Sequence, residues 1–326
     1  MVSYIMDRIM IWSIILIISC TLQLHLPAQY TPEGNERLED YTTSKVNKKR
    51  LTWSLITGAT VYTVSSITLY ESWYKDFPQS GFHFHNDFDE WRGVDKAGHI
   101  FSGYFQSDWA YKGWRWTGLE ENQAIWAGAA TSFLAQTTIE VLDGFSQEWG
   151  FSIPDFTANV VGTSAFVVQQ KLWGEQRIRI KTSSSPINYE ERYGDEVFAV
   201  RASELYGDGF FERYLKDYNA QTTWLSVNLH SFAPKSRLPK WLNVAVGYGA
   251  GNLFGGFSNQ IPELARDQQL PRYSQIFISL DADLSKIDTG SPFLRTVLDI
   301  LNIAKVPFST IEINTLGEVK FYAIRF

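Results

Sequence analysis

Between residues 51 and 173 the chain carries four long apolar segments whose polar residues recur at helical rather than alternating spacing. This pattern constrains the fold more than any other feature of the sequence. The segments run Leu51 to Trp73, about Asp95 to Trp114, Glu121 to Leu142 and Asp155 to Trp173. In the second, Asp95 and His99 stand four apart, and Ser102 and Gln106 continue the stripe. In the third the stripe is Ser132, Gln136, Glu140 and Asp143, and in the fourth Asp155 and Asn159, with Gly162 one step along. Positions three and four apart share a helix face. A polar stripe is costly to bury alone, so these stripes are expected to face one another.

Their order along the chain adds a direction. Asp95, Lys96 and His99 open their helix, Glu140 and Asp143 close theirs, and Asp155 and Asn159 open theirs. Short connections favour antiparallel neighbours, which would bring all three groups to one end of a bundle. The loops at that end add Asp76, Asp87, Asp89 and Glu90, whereas the other end carries Lys45 to Arg50, Lys112, Arg115, Lys171, Arg177 and Arg179. One end is expected to be acidic and the other basic.

The second half changes period. Strand-like runs occur at Thr223–Phe232, Leu242–Tyr248, Tyr273–Leu284, Thr310–Asn314 and Val319–Phe326, several of them alternating. Pro292 to Ile303 reads as an inserted helix, with Ser291 as its cap and Pro292 at its first position. The expected fold is α+β: an antiparallel helical bundle of about four long helices, then a smaller mixed region with about five strands. The division falls near Ser183-Ser184-Ser185-Pro186, giving a bundle over 51–182 and a C-terminal region over 183–326. Alternation up to a terminal Phe326 is common in outer-membrane barrels, but five strands fall short of the minimum of about eight. The last run is therefore read as the final strand of a small sheet. Gly247-Tyr248-Gly249-Ala250-Gly251 follows a strand but precedes no helix start, so it is read as a glycine-rich turn, not a nucleotide loop. His230 is placed in a strand.

A histidine among carboxylates can hold a divalent metal or run acid–base chemistry, because crowded carboxylates push their proton affinities apart. The candidates are His99, Glu140 and Asp143 as catalytic groups, Asp95, Lys96, Asp155 and Asn159 as binding groups, and His99, Glu140, Asp143 and Asp155 as metal ligands. A divalent metal is the candidate cofactor. His83 and His85 lie in the loop at the same end. Plainer roles compete: Asp95 and Asp155 stand where helix caps belong, and His99 could be a satisfied core histidine. No His-Glu-x-x-His run or paired-cysteine motif is present.

The first 28 residues have the layout of an export signal, with Arg8, an apolar run from Ile9 to Leu22, and Leu26-Pro27-Ala28 as a cleavage site. Ile17-Ile18-Ser19-Cys20 resembles a lipobox, so lipidation at Cys20 and a retained anchor stay open. Residues 29–50 read as a polar linker. Cys20 is the only cysteine, so no intramolecular disulfide forms. A net charge of -6 argues against nucleic acid as a partner. The first helix reads as long and apolar enough to span a membrane, and the third and fourth as borderline. Export would leave Lys45 to Arg50 on the external side, against the usual charge bias. A periplasmic or outer-membrane-associated bundle, partly in contact with lipid, is therefore favoured over an inner-membrane protein.

Asp95-Lys96-Ala97-Gly98-His99, Glu140-x-x-Asp143-Gly144 and Asp155-x-x-x-Asn159-x-x-Gly162 together resemble the core of the YfiM-type family, domain of unknown function 2279. Leu215-Lys216-Asp217-Tyr218-Asn219 and Trp224-Leu225-Ser226 resemble the longer form found in Bacteroidetes. A fainter likeness runs to VanZ-like membrane proteins. The resemblance implies a periplasmic or outer-membrane location in a Gram-negative cell and supplies no activity. Two functions compete. One is an envelope protein binding a lipid, a glycan or a protein partner through the polar cluster. The other is a metal-assisted hydrolase acting on a lipid or cell-wall intermediate.

Overall fold

The computed structural model describes residues 46–75, 78–259 and 261–325. The export signal with Cys20 and Ala28, most of the 29–50 linker, Asp76 and Phe326 lie outside the described residues.

Helix α1 (Lys48–Leu69) starts at Asn47, whose side chain accepts from the Arg50 backbone N–H, and runs into a π-helical turn, Tyr70–Tyr74. Among the described residues no helix is long and apolar enough to cross a membrane. This corrects the spanning reading of the first helix: three cations occupy its first turn, and hydroxyls from Thr52 to Ser66 interrupt its apolar run. The same finding removes the third and fourth helices as candidate spans.

Helices α2 (Val94–Trp116), α3 (Glu121–Asp143) and α4 (Ile153–Trp173) form the packed heart of the bundle. Consecutive helices are antiparallel: Ser132 of α3 donates to the Gly103 carbonyl of α2, and Arg50 at the start of α1 donates to Trp116 at the end of α2. Glycines set the helix separations. A Cβ on Gly103 would come 2.6 Å from the Asn159 carbonyl oxygen, and one on Gly128 would come 2.8 Å from that of Ser107. On Gly162 it would strike the Ile100 carbonyl. Backbone thus lies against backbone, and this fixes the side-chain register across the three helices.

Six strands follow: β3 (Ile178–Ser184), β4 (Gln221–Asn228), β5 (Leu242–Gly251), β6 (Tyr273–Ala282), β7 (Phe308–Asn314) and β8 (Val319–Arg325). They pair in sequence order, each antiparallel to the next. The mixed α+β class holds, with one more strand than expected, since β3 precedes the five read from the sequence and runs across residue 183. Between β3 and β4 lie α5 (Tyr189–Tyr193), α6 (Glu196–Tyr206) and α7 (Phe210–Lys216), whose Tyr189, Phe198 and Tyr206 form a core with Phe254 and Ile261.

Three local readings change. Strand β4 ends at Asn228, which caps the short helix α8 (Leu229–Phe232), so His230 is helical. Gly247, Gly249 and Gly251 are not in a turn but inside β5. There a Cβ on Gly247 would meet the Trp224 ring at 2.7 Å, and one on Gly251 would overlap Tyr273, so the glycines make room for aromatic rings. The inserted helix α9 (Pro292–Leu301) is present, with Ser291 accepting from the Leu294 N–H.

Candidate acidic site at one end of the bundle

The loops close the site before the helices fill it. Phe84–His85 (β1) pairs in parallel with Phe151–Ser152 (β2), clipping the loop ahead of α2 to the loop ahead of α4. His83 serves this clip, its Nε2 lying 2.7 Å from the Trp149 carbonyl, and His85 meets Phe257 edge-on. Neither histidine joins the acidic cluster through these contacts. The clip seats Asp87, whose Oδ1 accepts from Ser152 Oγ at 2.5 Å.

The entry into α2 is left-handed. Trp91, Arg92 and Gly93 have φ of 46°, 52° and 75°. For a residue with a Cβ this costs about 1–2 kcal/mol. The C-terminal region holds the turn: Tyr248 donates to the Arg92 carbonyl, Arg92 Nε to Ser274 Oγ, and the Trp91 N–H to the Gly256 carbonyl. Helix α2 therefore starts at Val94 with Gly93 as its cap position, and Asp95 is not a cap. Nor is Asp155: Ser152 caps α4, accepting from the Asp155 N–H at 2.9 Å. Both carboxylates are free of capping and point into the cluster.

Lys96 stands among three carboxylates, 2.7 Å from Asp87, 2.9 Å from Asp155 and 3.2 Å from Asp95. Burial opposes its charge, but Asp95, Asp155 and Asp87 outweigh that and hold the ammonium protonated. Asp87 and Asp155 interact, and their proton affinities are pushed in opposite directions. Burial, together with Asp95 and the hydrogen bond to Asp87, raises Asp155. Burial works the same way on Asp87, yet the bonds from Asp155, Lys96 and Ser152 win and keep it ionised. Tyr218, from the C-terminal region, donates to Asp95 Oδ1 at 3.0 Å.

A second chain of contacts runs through His99. Its Nδ1 lies 3.0 Å from Asn159 Oδ1, while Asn159 Nδ2 donates to Glu140 Oε1 at 3.0 Å. Its Nε2 lies 3.8 Å from Asp95 Oδ1. Glu140 is 1% exposed, and burial pushes its carboxyl up to about 8, partly offset by His99. Asp143 accepts from Tyr74 OH at 2.6 Å, and burial pushes it up to about 6.

The structure thus brings Asp95, Lys96, His99, Glu140, Asp155 and Asn159 into one network. Asp143 is held to one side by Tyr74. One atom each from Asp95, His99 and Asp155 falls within 4.8 Å of the others, a set able to hold a cation. That trio differs from the ligand set expected from sequence: Asp95 enters it, and Glu140 and Asp143 do not. Asp87, Ser152, Tyr74 and Tyr218 were missed as partners. Asp87 had a signal, as an acid in the loop at the correct end; the others had none within their own segments.

The basic end is not a bare positive surface. Lys112 sits 2.8 Å from both Asp108 and Asp299, and Arg179 lies 3.1 Å from Asp283 and 3.6 Å from Asp108. Arg177 pairs with Glu175 at 2.9 Å.

Residues 72–171 match the family model described as a predicted periplasmic lipoprotein, domain of unknown function 2279. The match covers every residue of the acidic network except Tyr218 and agrees with the resemblance seen in the motifs. The family description supports an exported, periplasmic protein. Comparison with curated proteins and with solved structures gives no match.

Proposed function

We propose, from a segment shared with predicted periplasmic lipoproteins, that this chain is an envelope protein associated with the envelope membrane and binding a divalent cation at the acidic end of its bundle. The observation that carries this is the convergence of Asp95, His99 and Asp155 within 4.8 Å. One imidazole nitrogen with two carboxylate oxygens suits zinc or a first-row transition ion better than calcium or magnesium. The exposures of Asp95, Lys96 and His99, 19, 12 and 20%, favour an ion over a glycan, a lipid headgroup or a protein segment. Without the ion, the Lys96 ammonium spans the same carboxylates. Binding would swing that ammonium aside and expel the proton held by Asp155, so affinity should rise with pH.

The test is metal analysis of the purified exported protein beside an Asp95→Asn/His99→Ala variant with matched circular dichroism. Stoichiometric metal in the first and none in the second is expected. No metal in either, after zinc, manganese, magnesium and calcium are added back, would sink the reading.

A metal-assisted hydrolase acting on a lipid or cell-wall intermediate is the second reading. It is favoured by Glu140, held at about 8 and linked to His99 through Asn159. A group titrating near neutrality suits general acid–base work. Activity on such a substrate, lost in Glu140→Gln while metal is retained, would support it.

A further inference from the structure

The six-stranded sheet carries its charges on the wrong side for a face exposed to water. Residues opposite one another across a ladder share a face. One such row is Ile180, Leu225, Val246, Ile278, Ile311 and Phe321; Ile180 of β3 is buried against Tyr104 and Phe166 of the bundle, and the other five are 43–70% exposed. The next row adds Ile276, Ile313 and Val319, also exposed. The other face turns Trp224, Ala245 and Phe277 fully inward. The strands contain six charged residues, Arg179, Lys181, Asp281, Glu312, Lys320 and Arg325. All six belong to the inner face by register: Arg179 lies opposite Ser226, Lys181 opposite Trp224, Lys320 opposite Glu312, and Arg325 stacks on Phe277. Lys181 and Asp281 are wholly buried and 2.8 Å apart.

A sheet with one face in water buries the apolar side and solvates the charged one. Here Lys181, Asp281 and Glu312 are buried inside and Lys320 is 44% exposed at the edge, while the outer face carries no charged strand residue and meets Arg92 only at its Tyr248–Ser274 end. This arrangement is stable where the medium outside is itself apolar. The bundle repeats the inversion: Ser132, Gln136, Glu140 and Asn159 are buried, and Phe133, Leu134, Val161, Val168 and Leu172 are exposed.

We infer that the outer face of strands β4–β8 rests on lipid hydrocarbon. The contact proposed is face-on to one leaflet. The six strands of this sheet among the described residues fall below the usual barrel minimum of about eight. Among the described residues β8 pairs only with β7, and an unpaired strand edge costs several kcal/mol per group in hydrocarbon. Lying flat, the sheet keeps that edge at headgroup level while Ile278 and Ile311 enter the acyl region, by about 5–10 Å as for other interfacial elements. The inference shares the envelope placement proposed above but none of the cation site, so either can fail alone.

The test uses the full chain with Cys20→Ser, nitroxide-labelled at Ile278→Cys, Ile311→Cys or, as a loop control, Asp288→Cys. Each is mixed with vesicles of phosphatidylethanolamine and phosphatidylglycerol. Labels at 278 and 311 should gain collisions with oxygen and lose them with an aqueous nickel chelate, while the label at 288 stays open to the chelate. Ile278→Lys/Ile311→Lys, checked for an unchanged circular dichroism spectrum, should weaken vesicle binding about tenfold or more, in line with the cost of lysine on a lipid-facing strand. Chelate access at 278 and 311 in the presence of vesicles would overturn the inference. So would spin–spin broadening between labels, which would mean that a second copy of the chain covers the face.

Discussion

Asn159 fixes the tautomer of His99. Its Nδ2 is committed to Glu140 Oε1, so its Oδ1 must face His99 Nδ1, which then carries the proton. The other ring nitrogen, Nε2, faces Asp95 Oδ1 at 3.8 Å and is the one through which His99 would ligate a metal.

Asn159→Asp should therefore disturb both neighbours. It replaces an N–H donor with a second carboxylate against buried Glu140. Unfolding free energy in urea at neutral pH is expected to fall by about 1–3 kcal/mol, and zinc uptake by metal analysis should fall with it. Unchanged stability and uptake would mean that Asn159 does not orient the imidazole.

Glu140 gives stability a pH dependence of a definite sign. Its folded-state carboxyl is raised from an ordinary 4.5 to about 8, by burial first. Between those limits the folded state holds a proton that the unfolded chain has released. Its contribution is thus complete below 4.5, declines as pH rises, and is gone above about 8. Glu140→Gln, which mimics the protonated acid, should flatten that decline in metal-free protein. Denaturation at pH 5, 7 and 9 checks it; equal slopes in the two proteins would refute it.

Lys96→Met should be costly, because it leaves the Asp87, Asp95 and Asp155 carboxylates facing one another without their cation. Removing one partner of a buried ion pair typically costs about 3–5 kcal/mol. Much of the loss should return on adding zinc, read as a rise in Tm larger than in wild type. A variant as stable as wild type without metal would show that the cage does not depend on the ammonium.

Two glycines of the site helices should respond in opposite ways. Gly162→Ala would drive a methyl into the Ile100 carbonyl and is expected to lose about 1–3 kcal/mol as the helices part. Gly98→Ala meets nothing within 4 Å and should be neutral or gain about 0.5–1 kcal/mol from helix propensity. Thermal unfolding of the pair decides; equal effects would mean that helix contact is not what Gly162 provides.

The sequence made the shared end of Asp95, His99, Glu140, Asp155 and Asn159 readable because short loops force α2, α3 and α4 to alternate, and alternation aligns their termini. It could not show that Lys96 sits inside the carboxylates, since that depends on Asp87, placed by the two-residue β1–β2 clip. Tyr218 lies 123 positions from Asp95, too far for any local pattern. At the basic end the signs of Lys112 and Arg179 were plain, but their partners Asp299 and Asp283 come from the far half of the chain. The glycines of β5 looked like a turn because the rings they accommodate, Trp224 and Tyr273, belong to other parts of the sheet.

The left-handed turn at Trp91–Gly93 has a bearing on inheritance. The segment matching the family ends at residue 171, yet Tyr248, Ser274 and Gly256, which grip that turn, all come later. A relative consisting of that segment alone could inherit the ligands of the acidic end and still lack the hinge post that aims them. Transplanting residues 72–171 by themselves should move the alphabet of the site without its grammar, and here the C-terminal sheet supplies the grammar.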